Sequence, residues 1–327
     1  MHVLVLSQSD VAHLLPMRDC IDLMADALSA LARGDALLPL RQVLRLPDGK
    51  SAFAVMPAYL GAPKAVGAKV ITVFPDNHGT AFDSHQGAVL LFEAEHGSLA
   101  AVMDASSITA IRTAAVSGLA TRLLAREKAA RVALLGSGAQ ARTHLEAMCA
   151  VRPVTDVRVW SRNRDAVRRF AERESRRHQI AVEPVTSARE AVEDADVVCT
   201  VTASREPVVA GAWLPDGVHV NAVGASLPFA RELDTAVVAR GRLYVDRRES
   251  ALNEAGDFLI AKKEGAIGDD HIVGELGELV LGRVPGRRTD DEVTIFKSLG
   301  LAVEDVAAAQ LIYERASAEG RGTRVEM

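Results

Sequence analysis

Three cations of this chain stand where a charge is costly or where a carboxylate could be held. Lys69 lies in Val66-Gly67-Ala68-Lys69-Val70-Ile71-Thr72-Val73-Phe74, a run apolar on both faces, in which an ammonium needs a partner or a task. Burial lowers a lysine pKa toward neutrality, which suits the group to giving or taking a proton. Arg112 sits in Ser107-Ile108-Thr109-Ala110-Ile111-Arg112-Thr113-Ala114-Ala115, a segment so poor in large side chains that something bulky can lie against it. Arg41, in Pro39-Leu40-Arg41-Gln42, opens an extended segment. Two guanidinium forks match the two oxygens of a carboxylate. On these residues alone, an edge-strand lysine reaching water and two ordinary arginines stay open as readings.

A second chemical signal is a loop. The run Ala130-Arg131-Val132-Ala133-Leu134-Leu135 leads into Gly136-Ser137-Gly138-Ala139-Gln140-Ala141, a G-x-G-x-x-A pattern after an apolar strand. Gly136 permits the tight turn, Gly138 lets the backbone approach a pyrophosphate, and Ala141 is small enough for helix and strand to pack closely. Amides at the start of the helix then face the phosphates. The next strand ends at Trp160-Ser161-Arg162-Asn163-Arg164, where a chain that binds NAD usually carries an acid for the ribose hydroxyl. Here Ser161 can bond a 2'-phosphate and Arg162 or Arg164 can supply positive charge, which predicts NADP(H) as the preferred cofactor with NAD(H) as the second choice.

The elements that must position these groups follow from periodicity. Strand-like and helix-like segments alternate from 131 to 248: strands at 131–135, 157–160 and 180–185, with helices at 140–149 and 163–177 between them. Ser187 and Glu190 read as a capping box opening the next helix, and strands at 196–201, 217–223 and 242–245 complete the series. That alternation predicts a Rossmann-type, doubly wound parallel sheet, hence an α/β fold class. Before it, a helix at 16–33 and extended segments at 42–46, 51–56, 65–74, 87–93 and 98–103 predict an α+β domain. A helix at 106–124 connects the two. A last helix at 301–316 is expected to pack back on the first domain, with no strand after it and a frayed tail from Ala318. The expected domains are 1–117, with 301–327 returning to it, and 118–300.

Composition narrows the class. A chain of 327 residues with 49% hydrophobic content can bury two substantial cores. Its 38 Lys+Arg and 43 Asp+Glu are mixed, for a net charge of -5, so nucleic acid and anionic lipid are not expected partners. Cys20, Cys149 and Cys199 are widely spaced and odd in number, which fits reduced thiols and a cytoplasmic location. The start of the chain lacks the features of an export signal, no apolar run approaches a membrane span, and no metal site is expected.

Pro39-Leu40-Arg41, Met56-Pro57-Ala58, Ala68-Lys69, Ser84-His85-Gln86, Met103-Asp104, Thr109-Ala110-Ile111-Arg112-Thr113-Ala114-Ala115, the Gly136–Ala141 loop, Asn221-Ala222-Val223-Gly224-Ala225 and Phe296-Lys297-Ser298-Leu299-Gly300 occur in order along the chain. With these motifs, nearly the whole chain resembles the ornithine cyclodeaminase and mu-crystallin family. The resemblance implies that Arg41 and Arg112 hold a substrate carboxylate while Lys69 handles the proton at the substrate nitrogen or carbonyl. It places Met56, His85, Ser226 and Glu254 in the substrate pocket. It adds Arg112, Thr113, Thr202, Val223, Gly224 and Ser298 to the cofactor site, with Ala222–Ala225 beside the nicotinamide. It also implies a homodimer formed through the first, substrate-binding domain, for which an exposed sheet edge within 40–103 would serve.

Ser226 departs from part of that family. Ornithine cyclodeaminases carry an aspartate there, placed to bind the substrate's distal amine. A neutral serine cannot pair with an ammonium, whereas cyclic imino acids bring only a ring C=N beside a carboxylate. The expected activity is therefore NAD(P)H-dependent reduction of Δ1-pyrroline-2-carboxylate or Δ1-piperideine-2-carboxylate to L-proline or L-pipecolate. Ornithine cyclodeaminase, alanine dehydrogenase and a non-catalytic NADPH-dependent small-ligand binder are the alternatives.

Overall fold

The computed structural model describes residues 2–77 and 80–326. Two compact units divide the chain, one made of residues up to Arg112 and from Gly300 onward, the other of Thr113–Leu299.

The first unit begins with β1 (His2–Leu6), α1 (Gln8–Leu14), α2 (Met17–Arg33), β2 (Ala36–Leu37), β3 (Gln42–Arg45), β4 (Ala52–Gly61), β5 (Lys64–Val73), β6 (His85–Phe92), β7 (Leu99–Asp104) and the start of α3 (Ala105–Leu124). Ser7 and Asp10 form the capping box that opens α1, and Gly34 ends α2 in the left-handed conformation, at φ 84°. Cys20, Ile21, Met24, Ala27 and Leu28 recur at helical spacing along α2 and are buried. Strands β4 and β5 pair antiparallel and alternate: Ala54, Met56, Ala58 and Leu60 lie on the buried face with Ala65, Gly67, Lys69 and Ile71, and Met56 stands opposite Lys69.

The second unit continues with β8 (Arg131–Leu135), α4 (Ala139–Val151), β9 (Asp156–Trp160), α5 (Arg164–His178), β10 (Ala181–Pro184), α6 (Ala188–Val192), β11 (Val197–Thr200), β12 (His219–Ala222), α7 (Thr235–Arg240), β13 (Arg242–Val245), α8 (Arg248–Glu254), α9 (Gly256–Lys263), β14 (Ile272–Glu275), α10 (Leu276–Val280) and β15 (Thr294–Lys297). Its strands are parallel, in the order β10-β9-β8-β11-β12-β15-β13-β14. The direction of winding reverses between β8 and β11, which is the switch point of a doubly wound sheet. Strands buried on both sides explain why Val197–Thr200, His219–Ala222 and Thr294–Lys297 are buried at every position.

The chain then returns to the first unit as α11 (Ala302–Glu319) and β16 (Thr323–Glu326). Helix α11 packs on α2 and across β4, β5 and β6. Among the described residues, the sheet of this unit runs β16-β1-β7-β6-β5-β4-β2, with β3 on β4.

Two sequence expectations are corrected here. The tail beyond Ala318 is not frayed: Gly320 stops α11 at φ 64° and β16 pairs antiparallel with β1, His2 opposite Glu326. Val325 is the single apolar residue of Thr323-Arg324-Val325-Glu326, too little to mark a strand, and the segment pairs because β1 presents an unpaired edge. The capping box of α6 is half made. Ser187 accepts from the Glu190 amide, but the Glu190 carboxylate turns to Thr186 N and Oγ1 at 2.9 and 2.8 Å.

Candidate functional site

Within the first unit, β5, α3 and α11 bring their charges together. Lys69 is 1% exposed, yet its Nζ stands 2.7 Å from Asp305 Oδ2 and 3.4 Å from Thr109 Oγ1. Three residues after Thr109, on the same side of α3, Arg112 donates from Nε to Asp305 Oδ1 at 2.9 Å and from Nη1 to Glu304 Oε2 at 2.6 Å. Both bonds leave Nη2 of the fork uncommitted to either acid. Arg41, between β2 and β3, reaches the Gly300 carbonyl from Nη2 at 3.4 Å. Lys69, Arg112 and Arg41 thus gather around Asp305 and Glu304.

Burial drives the Lys69 pKa down to about 8; the Arg112 charge pushes the same way and Asp305 pushes back. Burial would also lower Arg112, but Asp305 and Glu304 outweigh it and hold the guanidinium above its usual value. The result is an ammonium that can part with its proton near neutral pH, beside guanidinium groups suited to a carboxylate.

Of the other residues expected in this pocket, Met56 is buried across the strand pair from Lys69. His85 is exposed at the start of β6, its ring Nδ1 3.1 Å from Ser84 Oγ and its carbonyl bonded by Ser106 Oγ at 2.6 Å. Ser226 and Glu254 belong to the second unit, where both are half-buried.

In the second unit the residues expected to hold a cofactor collect at the carboxyl ends of adjacent parallel strands. Gly136 follows β8, Ser161 follows β9, Thr202 lies just beyond β11, Val223 and Gly224 follow β12, and Ser298 follows β15. Gly136 adopts φ 126° and its amide donates to Trp160 O at 2.8 Å; a Cβ there would stand 2.7 Å from Val201 O. Gly138 is the N-cap of α4 and meets nothing within 4 Å on its Cβ side, so its backbone faces open space. A pyrophosphate fits that space, against the first-turn amides of Ala139, Gln140 and Ala141. Ala141 itself is fully buried, closing α4 onto the sheet. Ser137 Oγ and Ser161 Oγ lie 3.0 Å apart, while Arg162 and Arg164 are exposed beside them. Thr113, next to Arg112 in α3, is buried.

Beneath this edge lies a buried polar network that reading the sequence did not identify. Glu232, fully buried, accepts from Thr202 N at 2.7 Å, Thr202 Oγ1 at 2.6 Å and Gly224 N at 2.7 Å, so one carboxylate ties the loop after β11 to the loop after β12. Burial raises its pKa, and the Thr202 hydroxyl works against that. Asp257 Oδ1 in turn accepts from Glu232 N at 2.8 Å and Leu233 N at 2.9 Å, and its Oδ2 lies 2.9 Å from Lys297 Nζ. Asp305 and Glu304 were missed as well. The signal for them was available: both stand in Leu301-Ala302-Val303-Glu304-Asp305-Val306-Ala307-Ala308, charges inside an apolar run, which is the pattern that singled out Lys69.

A model of the "Ornithine cyclodeaminase/mu-crystallin family" matches residues 1–320. The ketimine reductase mu-crystallin of Mus musculus is 42% identical over 281 residues, covering 86% of each chain. Among solved structures, the Δ1-pyrroline-2-carboxylate reductase of Thermococcus litoralis, in complex with NADH and L-proline, superposes with a TM-score of 0.97 at 40% identity, covering 99% of this chain and 100% of that one. An archaeal alanine dehydrogenase dimer with bound NAD gives a TM-score of 0.93 at 32% identity, with both chains covered in full, 100% each. Among the described residues no helix is long and apolar enough to cross a membrane.

Proposed function

Because the chain belongs to the ornithine cyclodeaminase/mu-crystallin family, we propose that it is an NAD(P)H-dependent reductase of cyclic ketimine acids, taking Δ1-pyrroline-2-carboxylate or Δ1-piperideine-2-carboxylate to L-proline or L-pipecolate. The observation that carries this reading is Lys69, a buried ammonium with a pKa of about 8, paired with Asp305 and close to the guanidinium groups of Arg112 and Arg41. Arg41 and Nη2 of Arg112 bind the substrate carboxylate, whose two oxygens suit guanidinium donors. Lys69 donates its proton to the ring nitrogen as the C=N π electrons move onto it, and water later returns a proton to Lys69. A bound reduced nicotinamide supplies the hydride that the ring carbon accepts. The cluster lowers the barrier by fixed orientation and by charge held away from water.

Gly136–Ala141, Thr202, Val223, Gly224 and Ser298 hold the dinucleotide in this reading, with Ser161, Arg162 and Arg164 taking a 2'-phosphate, so that NADPH is preferred. Strand β9 runs directly into Ser161 with no carboxylate to claim a ribose hydroxyl. Ser226 supports reduction over cyclodeamination, since it offers no charge to a distal ammonium. Residence in the cytoplasm belongs to the same reading, supported by free Cys20, Cys149 and Cys199.

The protein acts as a homodimer in this proposal, and the archaeal alanine dehydrogenase is likewise a dimer. Opposite the α11 side of the sheet, Leu37, 67% exposed, half-buried Tyr59, and Val66, 38% exposed, form a row across β2, β4 and β5; further along the same face of β4, exposed Leu44 of β3 pairs with exposed Phe53. A second copy would cover this apolar face.

The test is oxidation of NADPH and of NADH by the purified protein offered each cyclic imine, with pyruvate plus ammonia and L-ornithine plus NAD in parallel. Rapid oxidation with a cyclic imine, faster with NADPH, is the expected result. Proline formed from ornithine, with no oxidation in the presence of imines, would sink the proposal.

A further inference from the structure

Resting on that functional reading, we propose that Asp305 is a positioning residue for the reduction: one carboxylate on α11 spans Lys69 and Arg112 and fixes where the proton donor and the carboxylate-binding fork stand relative to each other.

The geometry is specific to Asp305. Its two oxygens are divided between the two cations, Oδ2 at 2.7 Å from Lys69 Nζ and Oδ1 at 2.9 Å from Arg112 Nε, and the residue is fully buried. Its neighbour Glu304 bonds Arg112 through Nη1. With Nε and Nη1 each bonded to an acid, the guanidinium plane is set, and Nη2, bonded to neither acid, is placed to meet a substrate carboxylate. A lysine side chain rotates about four bonds, and Asp305 is the acid that gives this buried one a single direction. Removing one member of a buried ion pair leaves an unpaired charge, so the group becomes displaced or sheds its proton.

The groups facing Lys69 come from every element packed around it: Arg112 and Thr109 from α3, Asp305 and its neighbour Glu304 from α11, and Arg41 from the segment before β3. Cys20 of α2, near Glu304, keeps its thiol, whose pKa burial pushes well up. Burial and Arg112 drive the Lys69 proton off, and Asp305 retains it. Loss of the Asp305 charge therefore moves the Lys69 titration to lower pH, and the alkaline limb of kcat/KM moves with it. The substrate's own titration is common to both proteins and cancels in the comparison.

The experiment compares the wild-type protein with Asp305→Asn, Asp305→Glu and Glu304→Gln. It uses the pH dependence of kcat/KM on Δ1-pyrroline-2-carboxylate, NADPH affinity as a check on folding, and titration of the Lys69 side-chain NMR signal, assigned with Lys69→Ala. Expected for Asp305→Asn are a kcat lower by about 10- to 100-fold, an alkaline limb and a Lys69 titration both shifted to lower pH, and unchanged NADPH affinity. Asp305→Glu restores the limb but not the full kcat, because the charge returns on a longer arm. Glu304→Gln raises KM with the limb near its wild-type position. An Asp305→Asn protein with the wild-type limb and Lys69 titration overturns the inference. Should that variant fail to fold, Asp305→Glu decides, since a wild-type kcat there removes the positional requirement. A wild-type protein silent on every imine would defeat the functional reading, and the NMR titration would still decide the role of Asp305.

Discussion

In the proposed reaction, Lys69 is the side chain at which proton chemistry separates from cofactor binding. It lies in the unit built around β5 and α11, whereas Gly136–Ala141 lie in the other unit. Lys69→Ala is expected to lower kcat by a factor of about 100 or more, the scale of a general acid's contribution, while NADPH affinity, measured by fluorescence titration, stays near the wild-type value. A variant with wild-type turnover would remove the proposed acid role. Reading the residues in sequence found this lysine because a charge in a run apolar on both faces is anomalous, and it found Arg41 and Arg112 as its companions. It did not find what they touch. Arg112 and Asp305 are 193 positions apart, and no local pattern encodes their meeting.

At the scale of elements, the cluster depends on how closely α11 approaches β5. Gly67 makes that approach possible: it lies on the same face as Lys69, and a Cβ there would stand 2.7 Å from Leu90 O and 3.0 Å from a methyl of Val306, the residue after Asp305. Gly67→Val is expected to push α11 outward, to cost about 1–3 kcal/mol of stability by overpacking, and to lower kcat/KM by roughly 10- to 100-fold as Lys69 and Asp305 separate. Thermal unfolding and steady-state kinetics together check this, and wild-type kinetics in a folded variant would show that the close approach has no bearing on the site. The strand alternation and the glycine of this segment are plain in the sequence. The identity of the helix lying on them is not, because α11 and β5 meet only after the intervening unit has been traversed.

At the scale of the whole molecule, two properties are open to measurement. Replacing Leu37 and Val66 together with Glu should convert a dimer to a monomer in light scattering, since buried carboxylates on an apolar face are unfavourable; an unchanged mass would move the interface elsewhere. Acid stability is the second. His144 is fully buried with Nδ1 2.8 Å from Gln140 O and Nε2 3.0 Å from Ser117 Oγ, and burial lowers its pKa to about 4. His219, bonded to Thr294 Oγ1 at 2.9 Å, is lowered by burial to about 3. Both folded-state values lie below the unfolded one, so the unfolded chain binds more protons between them. The stabilisation is present above pH 6.5 and is lost as pH falls toward 4 for His144 and 3 for His219. Each group contributes a slope of roughly 1.4 kcal/mol per pH unit within its window. The unfolding midpoint should therefore drop between neutral and mildly acidic pH, and His144→Gln should flatten that drop; an equal slope in both proteins would mean that His144 is not part of it.

The sequence by itself determined whatever depends on neighbours along the chain. The G-x-G-x-x-A turn needs Gly136 at positive φ, the central strands β8 and β11 are largely apolar because they are covered on both faces, and β4 and β5 alternate because one face is buried. Tertiary structure alone decided the partners of buried charges and the fate of weakly patterned segments. Asp305 and Glu232 become significant only when distant chain segments enclose them in low dielectric, where an ionised group must be paired. Strand β16 exists only because β1 offers an open edge for its backbone bonds, which no side-chain pattern could announce.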